Sequence, residues 1–246
     1  MSKPNFLFEL GTEELPPKSL LTLSKSLEAS ICDQLKNLGL SHGQVTPYAT
    51  PRRLTVIIED LDEQQSDRHE SRRGPSIKAP VKAAEGFARS CGVSLEELAI
   101  VDTDKGQYYE FDRQVKGSDT IELLAGVIDV ALASLPIAKR MRWGTSRNEF
   151  VRPVQWFILS LGNKLVDTQL FNLNNGHASR GHRFHSKGEI IIESALSYAE
   201  QLRNQGHVIA DFCERKAMIR SQIIEQADAL NATAVIDEKL LDEVTG

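Results

Sequence analysis

Lys139, Arg140, Arg142, Arg147 and Arg152 fall within one short run, KRMRWGTSRNEFVRP, together with Trp143 and Phe150. A guanidinium takes phosphate oxygens two at a time through its planar fork and also stacks on flat rings. Arginines interleaved with aromatic residues therefore suit a nucleic-acid surface. The competing reading is a solvated loop whose arginines pair with nearby carboxylates. Two further basic runs favour the first reading. Arg68, Arg72 and Arg73 lead into Gly74-Pro75 with Lys78 and Lys82 beyond, and Arg180, His182, Arg183 and Lys187 occupy RGHRFHSK. Acidic residues gather elsewhere, at Glu9, Glu13 and Glu14 and again at Asp237, Glu238, Asp242 and Glu243, so the formal net charge of −5 conceals a segregated distribution. The candidate RNA-contacting residues are Arg72, Arg73, Lys139, Arg140, Arg142, Arg147, Arg180 and Arg183. Arg152, just before Pro153 where a strand begins, is also placed to hold the fold through a buried carboxylate.

Other groupings carry less chemistry. Gly176-His-Ala-Ser-Arg-Gly181 has the glycine spacing of a phosphate-binding loop, but His182 stands where that loop needs Lys and Arg183 where it needs Ser or Thr. The glycines read better as shaping a basic loop. His177, His182 and His185 invite a metal reading, yet no carboxylate or cysteine lies among them, and Arg180 and Arg183 would repel a cation. No metal is expected. Glu13-Glu14 could form a catalytic carboxylate pair, but two acids ahead of a helix are commonly held there by its dipole. The residues describe a binding surface and no active site.

The elements that must position these residues are mixed in type. Residues 5–10 read as a short strand, and Leu20, Leu23, Leu27, Ile31, Leu35 and Leu38 recur at helical spacing until Gly39. Residues 53–61 form a β-branched strand, 62–80 a polar exposed connection, and 81–91 a short helix closed by Gly92. Ser94 and Glu97 make a capping box, 107–115 a strand, and 119–135 an apolar helix. Strands at 154–161 and 164–172 join through Gly162-Asn163. A loop at 173–188 leads to a strand at 189–193, a helix at 195–204 and a strand near 207–210, after which Asp211 caps a helix running to about Leu230.

The fold class is mixed α/β (α+β), rich in antiparallel sheet, with packed helices. Three regions are expected: 1–61 as a strand-helix-strand unit, 62–210 as a mixed region carrying the basic loops, and 211–246 as the helical start of a following region. Leu240, Leu241 and Val244 keep an apolar pattern to the last residues, as in a piece of a longer chain. With 246 residues, 41% hydrophobic and 26% charged, the chain reads as globular, and no apolar run is long enough to span a membrane. Cys32, Cys91 and Cys213 are odd in number and widely spaced, the usage of reduced thiols in the cytoplasm.

The strings FLFELGTEELPPK, TPRRLTV, RRGP, KAAEGFARSCG, LPIAKRMRWG, FVRPVQW and GHRFHS occur in this order. From Phe6 to its end the chain resembles the N-terminal portion of the bacterial glycyl-tRNA synthetase β subunit. The resemblance implies a part in an α2β2 ligase that joins glycine to tRNA(Gly). In that family ATP and Mg²⁺ serve the adenylate-forming site of the α subunit, and β contributes tRNA binding and assembly. No catalytic residue and no cofactor are therefore expected in this chain. The alternative is a purely structural segment that docks α or other parts of β. The resemblance extends more distantly to the B3/B4-type domain of the phenylalanyl-tRNA synthetase β subunit. It also implies a longer insertion between Ser76 and Lys82 than the IKAPV found here.

Overall fold

A computed structural model describes residues 3–104 and 106–246. The chain runs β1 (Phe6–Thr12), α1 (Pro17–Asn37), β2 (Val45–Thr50), β3 (Arg53–Ile58), β4 (Arg68–Ser76), α2 (Val81–Cys91), β5 (Ala99–Thr103), β6 (Gly106–Val115) and α3 (Thr120–Ala133). It continues through β7 (Met141–Arg142), β8 (Glu149–Phe150), β9 (Val154–Leu161), β10 (Lys164–Leu165), β11 (Gln169–Leu170), β12 (Leu173–Asn174), β13 (Ala178–Arg180) and β14 (Glu189–Ile191). Helices α4 (Tyr198–Asn204), α5 (Phe212–Ala229) and α6 (Glu238–Thr245) complete it. Helices and antiparallel sheets together confirm the mixed α/β class.

Two compact units divide the chain: Gln64–Ser118 is one, and the segments on either side of it form the other. The boundaries expected at 61/62 and 210/211 do not coincide with this division. The first is close to where the chain leaves the larger unit, but the return at 118/119 lies inside the single region expected over 62–210.

The larger unit is built on an antiparallel sheet in the order β10-β9-β1-β3-β2. Its central strand β1 is buried at all seven positions, because both faces of the sheet are covered. Phe6, Phe8 and Leu10 point to one face and join Leu54, Val56, Phe157 and Leu159 in the main core. There the stripe Leu20, Leu23, Leu27, Ile31 and Leu35 of α1 packs with Leu124, Val127 and Ile128 of α3. Leu7, Ile57 and Ile158 point to the opposite face, where Ile190, Tyr198 and Leu202 cover them. A strand covered on both sides loses its polar–apolar alternation, the reason β1 alternates only weakly in sequence.

Several strands depart from expectation for local reasons. β2 carries Pro47 and is tolerated because it lies at the sheet edge. The strand expected at 164–172 stops at Leu165. The chain then turns at Phe171 and Asn172, both with positive φ (53° and 65°), to pair β11 with β12. Residues 207–210 form no strand, and His207 has a φ of 53°. The connection expected at 62–80 contains β4, an edge strand whose register slips between Arg73 and Ser76.

In the smaller unit β6 lies between β4 and β5, all antiparallel. Ala88 and Phe87 of α2, with Leu98 and Phe111, make its core. The ring of Phe87 sits where a Cβ on residue 74 would be, 2.5 Å from its Cδ1, so Gly74 is required by close approach. The first four residues of IKAPV form the short turn from β4 to α2 and Val81 opens the helix, with Ala79 N–H donating to the Ser76 carbonyl at 2.9 Å.

Candidate functional site

The basic run at 139–152 does not present its aromatic rings to solvent. Phe150 is fully buried, and Trp143 packs on the main core with its ring 5.9 Å from that of Phe171. Lys139, Arg140, Arg142 and Arg147 are exposed around them. Arg142 is engaged by Glu149, Nε to Oε1 at 2.5 Å, and Arg140 reaches the Ala133 carbonyl at 3.4 Å. Lys139, Arg140 and Arg147 have no carboxylate partner among the described residues. Arg152 donates to the Val151 carbonyl at 2.8 Å rather than meeting a buried carboxylate.

Arg72 and Arg73 lie on β4 of the smaller unit, both exposed. Arg73 lies 4.0 Å over the ring of Tyr108 and donates to Thr103 Oγ1 at 2.9 Å. The basic run at 68–82 thus belongs to the smaller unit, and those at 139–152 and 180–187 belong to the larger one.

Arg180 and Arg183 belong to a different assembly, one that spacing along the sequence does not reveal. Glu9, Arg53, Thr55 and Trp156 point to the same face of the large sheet as Leu7 and Ile57, and β13, β14 and α4 bury that face. Gly11 lies directly across from Arg53 on one side and Trp156 on the other. A Cβ at Gly11 would stand 2.0 Å from the Trp156 ring, so the absent side chain makes room for the indole. Trp156 Nε1–H donates to Glu9 Oε1 at 2.5 Å and Ser179 Oγ–H to the same oxygen at 2.6 Å. Arg53 reaches that oxygen at 3.9 Å, donates to Ser179 Oγ at 3.3 Å, and binds the carbonyl of Arg180. The Arg180 guanidinium caps the Trp156 ring at 5.2 Å. Glu9 and Arg53 are 0% and 2% exposed, yet Glu9 Oε2 and Arg53 Nε have no hydrogen-bond partner. The sequence does carry a signal for this pair: each is a charged residue inside or beginning an apolar strand.

Beside this buried cluster opens a cleft of about 330 Å³, walled by the β2–β3 turn, the loop around Arg183 and residues 207–209. The turn is fastened to the exit of β1 by Thr12 N–H to the Arg52 carbonyl (2.8 Å) and Leu15 N–H to the Pro51 carbonyl (2.6 Å). Gly181 permits close approach of the opposite wall, since a Cβ there would lie 2.7 Å from Gly206 Cα. His182 N–H donates to the Gly206 carbonyl at 2.7 Å. The GHASRG run therefore shapes a basic loop rather than cradling phosphate at a helix start.

Glu14 lines this cleft and pairs across it, and Glu13 pairs with Arg52 of the β2–β3 turn. Arg52 lies 3.6 Å from Glu13 and 3.9 Å from Glu14, and Arg183 lies 3.3 Å from Glu14. The backbone N–H of Glu14 and then the charges of Arg52 and Arg183 hold its carboxyl below the usual carboxylate range. His182 and His185 stack at 4.4 Å, with His207 at 6.5 Å from His185, whereas His177 lines a different cleft beside Ile191 and Ser194. Among the described residues no three His, Cys, Asp or Glu side chains converge as metal ligands would.

No helix of the described residues is long and apolar enough to cross a membrane. A family model for the glycyl-tRNA synthetase beta subunit matches residues 6–246. The glycine–tRNA ligase beta subunit of Hahella chejuensis is 44% identical over 251 residues, covering 99% of this chain and 36% of that protein. Its counterpart in Marinobacter nauticus is 44% identical over 253 residues (100% and 36%), and that in Yersinia pestis 41% over 251 (99% and 36%). The chain spans 36% of the length of these curated relatives.

Proposed function

The chain belongs to the glycyl-tRNA synthetase beta subunit family, and from that premise we propose that it supplies a tRNA-binding and assembly surface to a cytoplasmic α2β2 glycine–tRNA ligase. ATP, Mg²⁺ and glycine react on the separate alpha subunit, and this chain contributes no catalytic residue. The observation that carries the reading is the unbroken family match from residue 6 to residue 246. The exposed cations Lys139, Arg140 and Arg147, without carboxylate partners among the described residues, support it as groups available to phosphate.

A second reading, a segment that docks the alpha subunit or further parts of beta, has its own support. Arg142 is already paired with Glu149, and Leu230, Leu240 and Val244 are 78%, 59% and 61% exposed. Arg140→Gln with Arg147→Gln in the intact assembly separates the two. Removing each phosphate-binding cation should weaken tRNA binding and flatten the dependence of log affinity on log salt by about 0.7–0.9. Unchanged tRNA affinity with weakened assembly favours docking. If neither moves, the run is a solvated loop.

A further inference from the structure

We propose that the cleft between the β2–β3 turn and the loop 181–185 binds one unpaired nucleotide, its phosphate between Arg52 and Arg183 and its base against Phe184. Three independent features of the cleft carry this assignment.

The first is charge. Four guanidiniums line the cleft, those of Arg52, Arg53, Arg183 and Arg215, against the one carboxylate of Glu14. Counting also Glu9 beside Arg53, Glu13 beside Arg52 and Asp211 near Arg215, four positive groups meet four negative ones, so the attraction for an anion comes from the guanidiniums that line the cleft itself and not from a net charge around it. Arg215 is spent on the carbonyls of Ile209, Ala210 and Thr245, so it adds charge but no free donor. Arg52 and Arg183 do have capacity. They share Glu14 Oε1 at 3.9 and 3.3 Å, neither as a two-point fork. A phosphate has enough oxygens to satisfy both forks, and Glu14 is then its competitor for the position.

The second is unmet donor capacity on the inner wall. Arg53 is 2% exposed and lines the cleft, and its Nε has no hydrogen-bond partner; Arg52 Nε is likewise buried without one. Buried donors of this kind are ordinarily satisfied.

The third is an aromatic ring held out to solvent by a built turn. Phe184 is 82% exposed. His182 Nδ1 accepts the amide N–H groups of Phe184 (3.2 Å) and His185 (3.3 Å), and the His182 and His185 rings stack. With His182 N–H tied to Gly206, the turn keeps Phe184 at the rim instead of letting it fold inward. A ring beside a cationic pocket is the arrangement by which single-stranded nucleic acid is held, base on the ring and backbone on the cations. Pro51, Val208 and Ile209 supply the apolar remainder of the wall, and about 330 Å³ is within the range of small-molecule sites.

The inference rests on the tRNA reading only for the source of the nucleotide, which is either an RNA strand or a free mononucleotide. The test is calorimetric titration of the intact protein with AMP, adenosine, inorganic phosphate and a single-stranded RNA tetranucleotide. AMP or the tetranucleotide should bind at least about tenfold more tightly than adenosine or phosphate, since stacking and phosphate binding act together. Arg183→Gln and Phe184→Ala, both at exposed positions, should each weaken that binding by about tenfold, and Glu14→Gln should strengthen it. A tetranucleotide far tighter than AMP identifies an RNA strand, and equal affinities identify a free nucleotide. Phosphate binding as tightly as AMP, wild-type affinity in both weakening variants, or no binding of any probe overturns the proposal. Failure of the tRNA reading shows instead as undiminished tRNA affinity in the Arg140→Gln, Arg147→Gln protein, so the two are separable.

Discussion

Glu9 and Arg53 show how a charged pair survives inside a sheet. Isolated charges in a dry interior are costly, and attraction between partners offsets this only when other hydrogen bonds share the load. Trp156 and Ser179 both donate to Glu9 Oε1, and Arg53 also finds Ser179 and the carbonyl of Arg180. Tyr198, fully buried, completes the cluster through Thr55 Oγ1 at 2.8 Å. Burial first, and the Glu9 charge second, push the Tyr198 phenol well above its ordinary value of 10.0. The folded chain therefore keeps this proton at a pH where the unfolded chain releases it. Tyr198 costs no stability below pH about 10, and stability falls with rising pH above it by about 1.4 kcal/mol per pH unit. Tyr198→Phe removes that dependence and loses the Thr55 hydrogen bond, about 1 kcal/mol at neutral pH. Urea unfolding of both proteins from neutral to alkaline pH measures this, and the gap between them should close as pH rises. A constant gap would refute the buried, neutral phenol.

At the scale of elements, periodicity was legible wherever one face of a helix meets the core. The leucine stripe of α1 and the apolar pattern of α3 are both of this kind. α5 differs, because among its residues only Phe212 is buried. Its stability depends on its ends and neighbours. Asp211 Oδ1 accepts the Glu214 N–H at 2.9 Å, Arg215 binds the Thr245 carbonyl, and Lys216 meets Asp242 at 2.5 Å. Asp211→Ala should cost about 1 kcal/mol locally, making α5 amides exchange about fivefold faster while central-sheet amides keep their rates. Unchanged exchange in α5 would show the cap to be dispensable. The strands β2 and β4 were hidden by Pro47 and by Gly74-Pro75, residues that argue against a strand until its position at a sheet edge is known.

At the scale of the whole molecule, the smaller unit is an insertion. The chain leaves the larger unit after Glu63 and returns at Asp119, and the crossing is stitched by Thr120 N–H to the Glu63 carbonyl at 2.8 Å and Thr120 Oγ1–H to the Asp62 carbonyl at 2.6 Å. Ends held this close need only a short linker. Excising residues 64–118 and joining Glu63 to Asp119 through two glycines should leave the larger unit folded, with one cooperative thermal transition and near-ultraviolet circular dichroism retaining the buried Trp156 signal. Loss of cooperativity would show that the larger unit needs its insert.

The amino-acid order by itself determined what is local or statistical: the α1 stripe, the Asp211 cap, the capping box of Ser94 and Glu97, the turn at Gly162, and the concentration of arginines in three runs. Each depends on residues within a few positions of one another. Only the tertiary structure decided which runs meet. Arg180 and Arg183 join Arg52 and Arg53 from more than a hundred residues earlier, because the sheet order brings β3 beside β1 and the β13–β14 hairpin folds onto that face. The turning of Trp143 and Phe150 into the core, and the outward hold on Phe184, were likewise settled by packing. Periodicity specifies that a side chain is buried or exposed along its own element, but which distant charge it meets is set by sheet order and register.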